Sequence, residues 1–166
     1  MPKQQVTGPE LAEDILLILP KLRAFATSLC GNAAQADDLV QETLVRAWSH
    51  IDHFEKGTNL SAWLFTILRN LFHSEYRKRR REVADPDGVY AEQLESPAEQ
   101  LPHLELKDLQ DALGMLSPEQ REALILVGAE GFSYEDAASI CGVSTGTIKS
   151  RVSRARARMH EVMGYE

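Results

Sequence analysis

The sequence predicts an all-α protein built as two small helical domains joined by a flexible acidic linker. Three observations carry this. Apolar residues recur at three- and four-residue steps through successive segments. Gly, Pro and β-branched residues are sparse inside those segments. Between residues 85 and 105 the periodicity stops, and "DPDGVYAEQLESPAEQLPHLE" brings three prolines and a glycine. Structureless loops of that length are uncommon inside one compact domain, so the expected division is 1–84, a linker 85–105, and 106–166. A chain of 166 residues, 43% hydrophobic and 26% charged, has room for two such units.

The first helix is expected from Glu10 to Cys30. Leu11, Ile15, Ile18, Leu22, Phe25 and Leu29 form its apolar stripe. Pro20 is expected to bend or interrupt it, and Gly31 and Asn32 supply a stop and the next N-cap. The second helix, Ala33 to Phe54, buries Ala36, Val40, Leu44, Ala47, Ile51 and Phe54, with Leu39 and Trp48 beside them. Asp38, Glu42 and Arg46 run along its outer strip, joined by Asp37 and Gln41. Carboxylates in an early turn complement the helix dipole; a partner-binding surface is the alternative reading.

The third helix, Asn59 to Arg81, has a broad apolar face, a strip of Arg69, His73, Arg77 and Arg80, and the ending "RKRRR". Five successive cations exceed what capping needs, and their repulsion is relieved by phosphates. A solvated helix end is the bland reading of the same residues. The preceding loop, Lys56, Gly57, Thr58 and Asn59, is either a receiver for an unstacked base or only a turn.

In the second half, Leu106, Leu109, Leu113 and Leu116 mark a short amphipathic helix. Ser117, Pro118 and Gln120 open the next one as cap, first-turn proline and capping-box partner. Ser133 caps a short helix carrying Ala137, Ala138 and Ile140, Gly142 supplies a tight turn, and Ser144 or Thr145 caps the last helix. A short helix, a glycine turn and a polar-tipped second helix follow helix-turn-helix grammar.

Charge sharpens that reading. The net charge is −7, yet residues 144–159 hold five Lys or Arg and no Asp or Glu. Much of the acidity sits elsewhere: residues 85–107 carry six acidic side chains and one basic. On a helical wheel Ile148, Val152, Ala155, Met159 and Val162 share one stripe, and Gly146, Ser150 and Ser153 face away from it. Lys149 and Arg156 lie on one flank, with Arg151, Arg154 and Arg158 on the other. Small residues admit base edges, and flanking cations reach the phosphate ridges of a major groove.

Other classes are disfavoured. No HExxH, GxSxG, Gly-rich phosphate loop or EF-hand pattern occurs, so no catalytic site, metal or cofactor is expected. Cys30 and Cys141 lack ligand spacing and are expected as reduced buried thiols in a cytoplasmic protein. No apolar run reaches the roughly 18 residues of a membrane span, and "ILLILP" lacks the basic flank of a signal peptide.

Three stretches, "AAQADDLVQETLVRAW", "NLSAWLFTILRNLFHSEYRKR" and "LSPEQREALILVGAEGFSYEDAASICGVSTGTIKSRVSRARARM", together resemble the extracytoplasmic-function sigma factors of bacterial RNA polymerase. The third is worded like the alphaproteobacterial general-stress group. The resemblance implies that Asp37, Asp38, Gln41 and Glu42 dock on the clamp helices of the polymerase largest subunit, with the polymerase flap as a second contact. It implies that Lys56, Gly57, Thr58 and Asn59 capture a flipped base of the −10 element, and that Arg69, Arg77 and Arg80 guide the separating strands. Ser144, Thr145, Thr147, Lys149, Ser150, Arg151, Ser153, Arg154 and Arg156 then read the −35 element of promoter DNA. It further implies an anti-sigma factor, released by a response regulator carrying a sigma-like domain. The rival is a two-domain helix-turn-helix regulator that is not a polymerase subunit; it leaves the acidic strip and "RKRRR" unexplained.

Overall fold

The computed structural model describes residues 8–82 and 104–164. Helix α1 spans Gly8–Cys30, α2 Ala33–Ser49 and α3 Leu60–Glu82, with a 3-10 turn at Ile51–His53. The second half holds α4 (Leu104–Gly114), α5 (Pro118–Leu124), a π turn (Ile125–Ala129), α6 (Tyr134–Cys141) and α7 (Thr145–Met163). Residues 85–103, most of the expected linker, lie outside the described residues; residues 104 and 105, assigned to it from sequence, begin α4.

Most boundaries follow local chemistry. The Asn32 side chain accepts hydrogen bonds from the Ala34 and Gln35 amides at 2.8 and 3.1 Å, starting α2 where α1 stops. Ser117, Ser133 and Ser144 cap α5, α6 and α7 in the same way. Gly142 closes α6 in the left-handed region at φ 68°, a conformation that favours glycine.

Two elements depart from expectation. Pro20 sits within α1 without interrupting it; Pro20 and Leu16 are both exposed, so the carbonyl that loses its partner faces solvent. The α-helical run of α2 ends at Ser49 rather than Phe54, and the chain tightens into the 3-10 turn. That turn keeps Ile51 and Phe54 partly buried, with Phe54 5.2 Å from Trp63.

One apolar core runs through both halves. Leu22, Phe25, Leu64, Phe65 and Leu68 from the first half are continuous with Leu126, Ile140, Ile148 and Val152 from the second. Phe65 joins them: its ring stacks on Phe25 at 5.0 Å and meets Phe132 edge-on at 5.1 Å. Each such side chain contributes about 1.5–3 kcal/mol by leaving water. The two halves therefore pack on each other, principally α3 on α6 and α1 on α5.

Candidate nucleic-acid interface

The helix-turn-helix is assembled from α6, the Gly142 turn and α7. Ser144 accepts from the Thr147 amide at 3.2 Å, and its hydroxyl lies 2.9 Å from that of Thr147. Thr145 and Thr147 are thereby half-buried at the tip. Ile148, Val152 and Ala155 are buried and pin the inner face. Lys149, Ser150, Ser153, Arg154 and Arg156 are exposed on the outer side, and the Lys149 ammonium lies 5.8 Å from the Tyr134 ring centroid. Arg151 differs from its expected exposed flank. It is half-buried with Nη1 turned inward, because it follows Ile148 by three residues and precedes Val152.

In the first half, Lys56, Gly57, Thr58 and Asn59 form an exposed turn, with Gly57 at φ 92°. The Thr58 hydroxyl donates to the Glu55 carbonyl at 2.6 Å, and Asn59 accepts from the Ala62 amide at 3.1 Å. Those two side chains shape the turn, while Lys56 and the Gly57 backbone stand free at its tip. A cleft of about 420 Å³ opens between α2 and α3, lined by Arg46, His50, His53, Trp63, Ile67 and Asn70 among others. His50, His53 and Asn70 carry no mark in the sequence beyond an HxxH spacing, which here places two imidazoles 5.7 Å apart.

The basic helix end is mostly exposed: Arg77, Lys78, Arg80 and Arg81 face solvent, and Arg80 lies over Tyr76 at 5.7 Å. Arg69 is not exposed with them. Its guanidinium donates to Glu122 of α5, with Nε 3.3 Å from both carboxylate oxygens and Nη2 3.2 Å from Oε1. His73 Nε2 lies 2.8 Å from Oε2 of the same carboxylate. Burial pushes the Glu122 carboxyl up, but hydrogen bonds from His73 and Arg69 and their positive charge outweigh it and hold the group below its ordinary value.

On α2, Asp37 pairs with Arg23 at 3.2 Å, and Asp38, Gln41 and Glu42 are open to solvent. Val45 and Trp48 continue this surface at 65% and 54% exposure. Trp48, expected beside the buried stripe, thus points outward, since its position lies one residue past the Ala47 edge of that stripe.

Burial disfavours the thiolate of both cysteines. Burial pushes Cys30 up to about 11 and Cys141 up to about 12, the latter helped by the Glu122 charge. Alkylation of the native chain at pH 8 is expected to run at least about tenfold slower than in denaturant, as followed by mass spectrometry. A buried thiol with a raised value keeps its full contribution below the ordinary 9.0 and loses it as pH climbs toward 11–12, so urea midpoints should fall above pH 9.

Among the described residues no helix is long and apolar enough to cross a membrane, and no group of three or more His, Cys, Asp or Glu side chains could hold a metal ion.

A helical unit with an acidic outer strip and a basic end, packed on a helix-turn-helix unit, is the architecture of a two-region promoter-specificity subunit. Residues 15–82 match Sigma-70 region 2, and residues 106–159 match Sigma-70, region 4. The chain belongs to the extracytoplasmic-function sigma factors of bacterial RNA polymerase, in the EcfG-type general-stress group. It is 63% identical to the ECF RNA polymerase sigma factor EcfG of Rhodopseudomonas palustris, over 92% of this chain and 84% of that one. It superposes with a TM-score of 0.86 and 57% identity on a chain from the structure of the sigma factor RpoE with the anti-sigma factor NepR of Bartonella quintana, covering 95% of this chain and 98% of that one. A chain of the PhyRSL–NepR complex from Sphingomonas sp. Fr1 matches at a TM-score of 0.71 and 25% identity, covering 94% of this chain and 91% of that one.

Proposed function

We propose that this sigma factor reads the −35 element through α7 and opens the −10 element through α3 and the adjoining loop. The observation that carries this is the outer face of α7, where Lys149, Ser150, Ser153, Arg154 and Arg156 are exposed on a stretch free of carboxylates. Small hydroxyls there admit base edges, and the cations hold the backbone on either side. The units doing this work are residues 1–84 and 104–166, the second opening with α4, with the linker between them.

At the −10 element, the exposed Lys56 and Gly57 receive the extruded base, and in the α2–α3 cleft Trp63 offers a stacking face and Asn70 a base-edge partner. Thr58 and Asn59 hold the loop that presents them. Arg77 and Arg80 follow the strand backbone, with Arg69 available once it leaves Glu122. Asp37, Asp38, Gln41 and Glu42 dock on the clamp helices of the largest polymerase subunit. Val45 and Trp48 add an apolar anchor of the kind that dominates interface energetics. The second unit meets the polymerase flap.

The likeness to the NepR-bound RpoE chain and to the PhyRSL complex supports control by a small anti-sigma factor and a sigma-mimicking regulator. The protein works in the cytoplasm, where its template and polymerase are, and carries no enzymatic activity of its own.

Transcription in vitro with purified core polymerase tests the reading. Transcripts starting at one defined position on a stress-gene promoter are expected only when this chain is added. Promoter binding without core, and no start-site transcript with it, would overturn the assignment in favour of an ordinary helix-turn-helix regulator.

A further inference from the structure

Glu122 is fully buried, and the guanidinium and the imidazole that pair with it both come from α3 of the other half. Arg69 and His73 are one helical turn apart on α3, so both side chains reach the same carboxylate. They retain only 19% and 17% exposure. The neighbouring residue anchors the same joint. Arg121 donates through Nη1 to the Leu29 carbonyl at the end of α1, at 3.1 Å, and through Nε and Nη2 to the Leu113 and Leu116 carbonyls.

We propose that Glu122 is an intramolecular latch that occupies an anion site formed by Arg69 and His73, a site that takes a DNA backbone phosphate when the two halves separate. This deepens the function proposed above and rests on α3 being the strand-guiding helix. Three physical arguments support it. A guanidinium fork recognises carboxylate and phosphate by the same bidentate geometry, so Glu122 is an apt surrogate for a phosphate. A buried ion pair adds little net stability over an apolar contact but fixes register, which suits a joint that must close in one arrangement and still open. Once open, Glu122, Arg69 and His73 are hydrated, so separation exposes less apolar surface than a wholly hydrophobic joint. His73 and Arg69 also continue the line of Arg77 and Arg80, at four-residue spacing from Arg69 to His73 to Arg77. Closed, the chain withholds Arg69 and His73 from that line; open, it restores them.

The test uses the full chain, with small-angle X-ray scattering for compaction and fluorescence anisotropy for a labelled single-stranded −10 oligonucleotide. Glu122→Gln is expected to increase the radius of gyration and tighten oligonucleotide binding by about tenfold, as the competent fraction rises. Arg69→Glu should also expand the chain but weaken binding. The double exchange Arg69→Glu with Glu122→Arg should restore compaction while binding stays weak, an outcome that general loss of structure does not produce. Circular dichroism checks that each variant is helical. A Glu122→Gln chain with the wild-type radius and affinity, or a folded double exchange that stays expanded, overturns the latch. If Glu122→Gln expands the chain without tightening binding, the competition for Arg69 is overturned. In that same expanded chain, Arg77→Glu with Arg80→Glu decides separately whether α3 binds DNA at all.

Discussion

Lys149→Glu combined with Arg154→Glu is expected to lower start-site-specific transcription by about 100-fold, since each lost contact to a base or phosphate costs about 1–3 kcal/mol. Both side chains are exposed, so the fold should survive. The loss at Lys149 includes its approach to Tyr134 at 5.8 Å, an exposed cation–π contact worth about 0.5–1 kcal/mol. Thermal unfolding should therefore shift by only a few degrees. Association with core polymerase, measured by gel filtration, should be largely retained, because the proposed clamp-docking residues lie on α2 and only the flap contact belongs to the second unit. A double variant that still protects the −35 region in footprints of the holoenzyme would show that α7 is not the reading helix. Arg151→Glu is expected to behave differently: its half-buried guanidinium makes the exchange costly to folding, so it is a poor probe of DNA contact.

Phe65→Ala is expected to be the most damaging single truncation, at about 3–5 kcal/mol. Phe65 is wholly buried and touches rings from both halves: Phe25 inside the first, and Phe132 across the joint. Removing it opens a cavity in the core of the first half and strips the apolar support beside the Arg69–Glu122 pair. Urea unfolding should show a lower midpoint. Phe72→Ala, at a half-buried ring, should cost clearly less. Equal midpoints for the two variants would mean that the joint and the first-half core do not share Phe65 as a common support.

The caps and helix starts were legible in the sequence because their chemistry is local. Asn32, Ser117, Ser133 and Ser144 each satisfy amides two or three residues ahead, and Gly142 takes the left-handed turn itself. The inner stripe of α7 was legible for the same reason, since helical period alone gathers Ile148, Val152 and Ala155. The joint was not. Glu122 reads as an ordinary carboxylate early in a helix, and its partners lie 53 and 49 residues away. Arg69 accordingly resembled one more member of a basic strip, when its neighbour in space is a buried anion. Trp48 and Arg151 show a finer limit. Both sit at the margin of an apolar stripe, where a turn of about 100° per residue leaves the choice between inside and outside to tertiary packing. The end of α2 was equally unreadable: His50 Nδ1 lies 3.0 Å from the Arg46 carbonyl, and the helix yields to a 3-10 turn that keeps Ile51 and Phe54 against the core.

The π turn at Ile125–Ala129 widens the last turn of the helical run that opens at Pro118. Its Glu130 amide reaches back five residues to Ile125, and the Phe132 amide reaches back six to Leu126, at 2.9 Å each. Such a widening adds one residue to a helical turn, and the helix ends there, with Gly131 in the left-handed region at φ 74°. Upstream of it, Arg121 and Glu122 grip the first half; downstream come Phe132 and the α6–α7 pair. The grip on the first half and the start of the α6–α7 pair are thereby kept apart by one widened turn and a short loop through Gly131, Phe132 and Ser133.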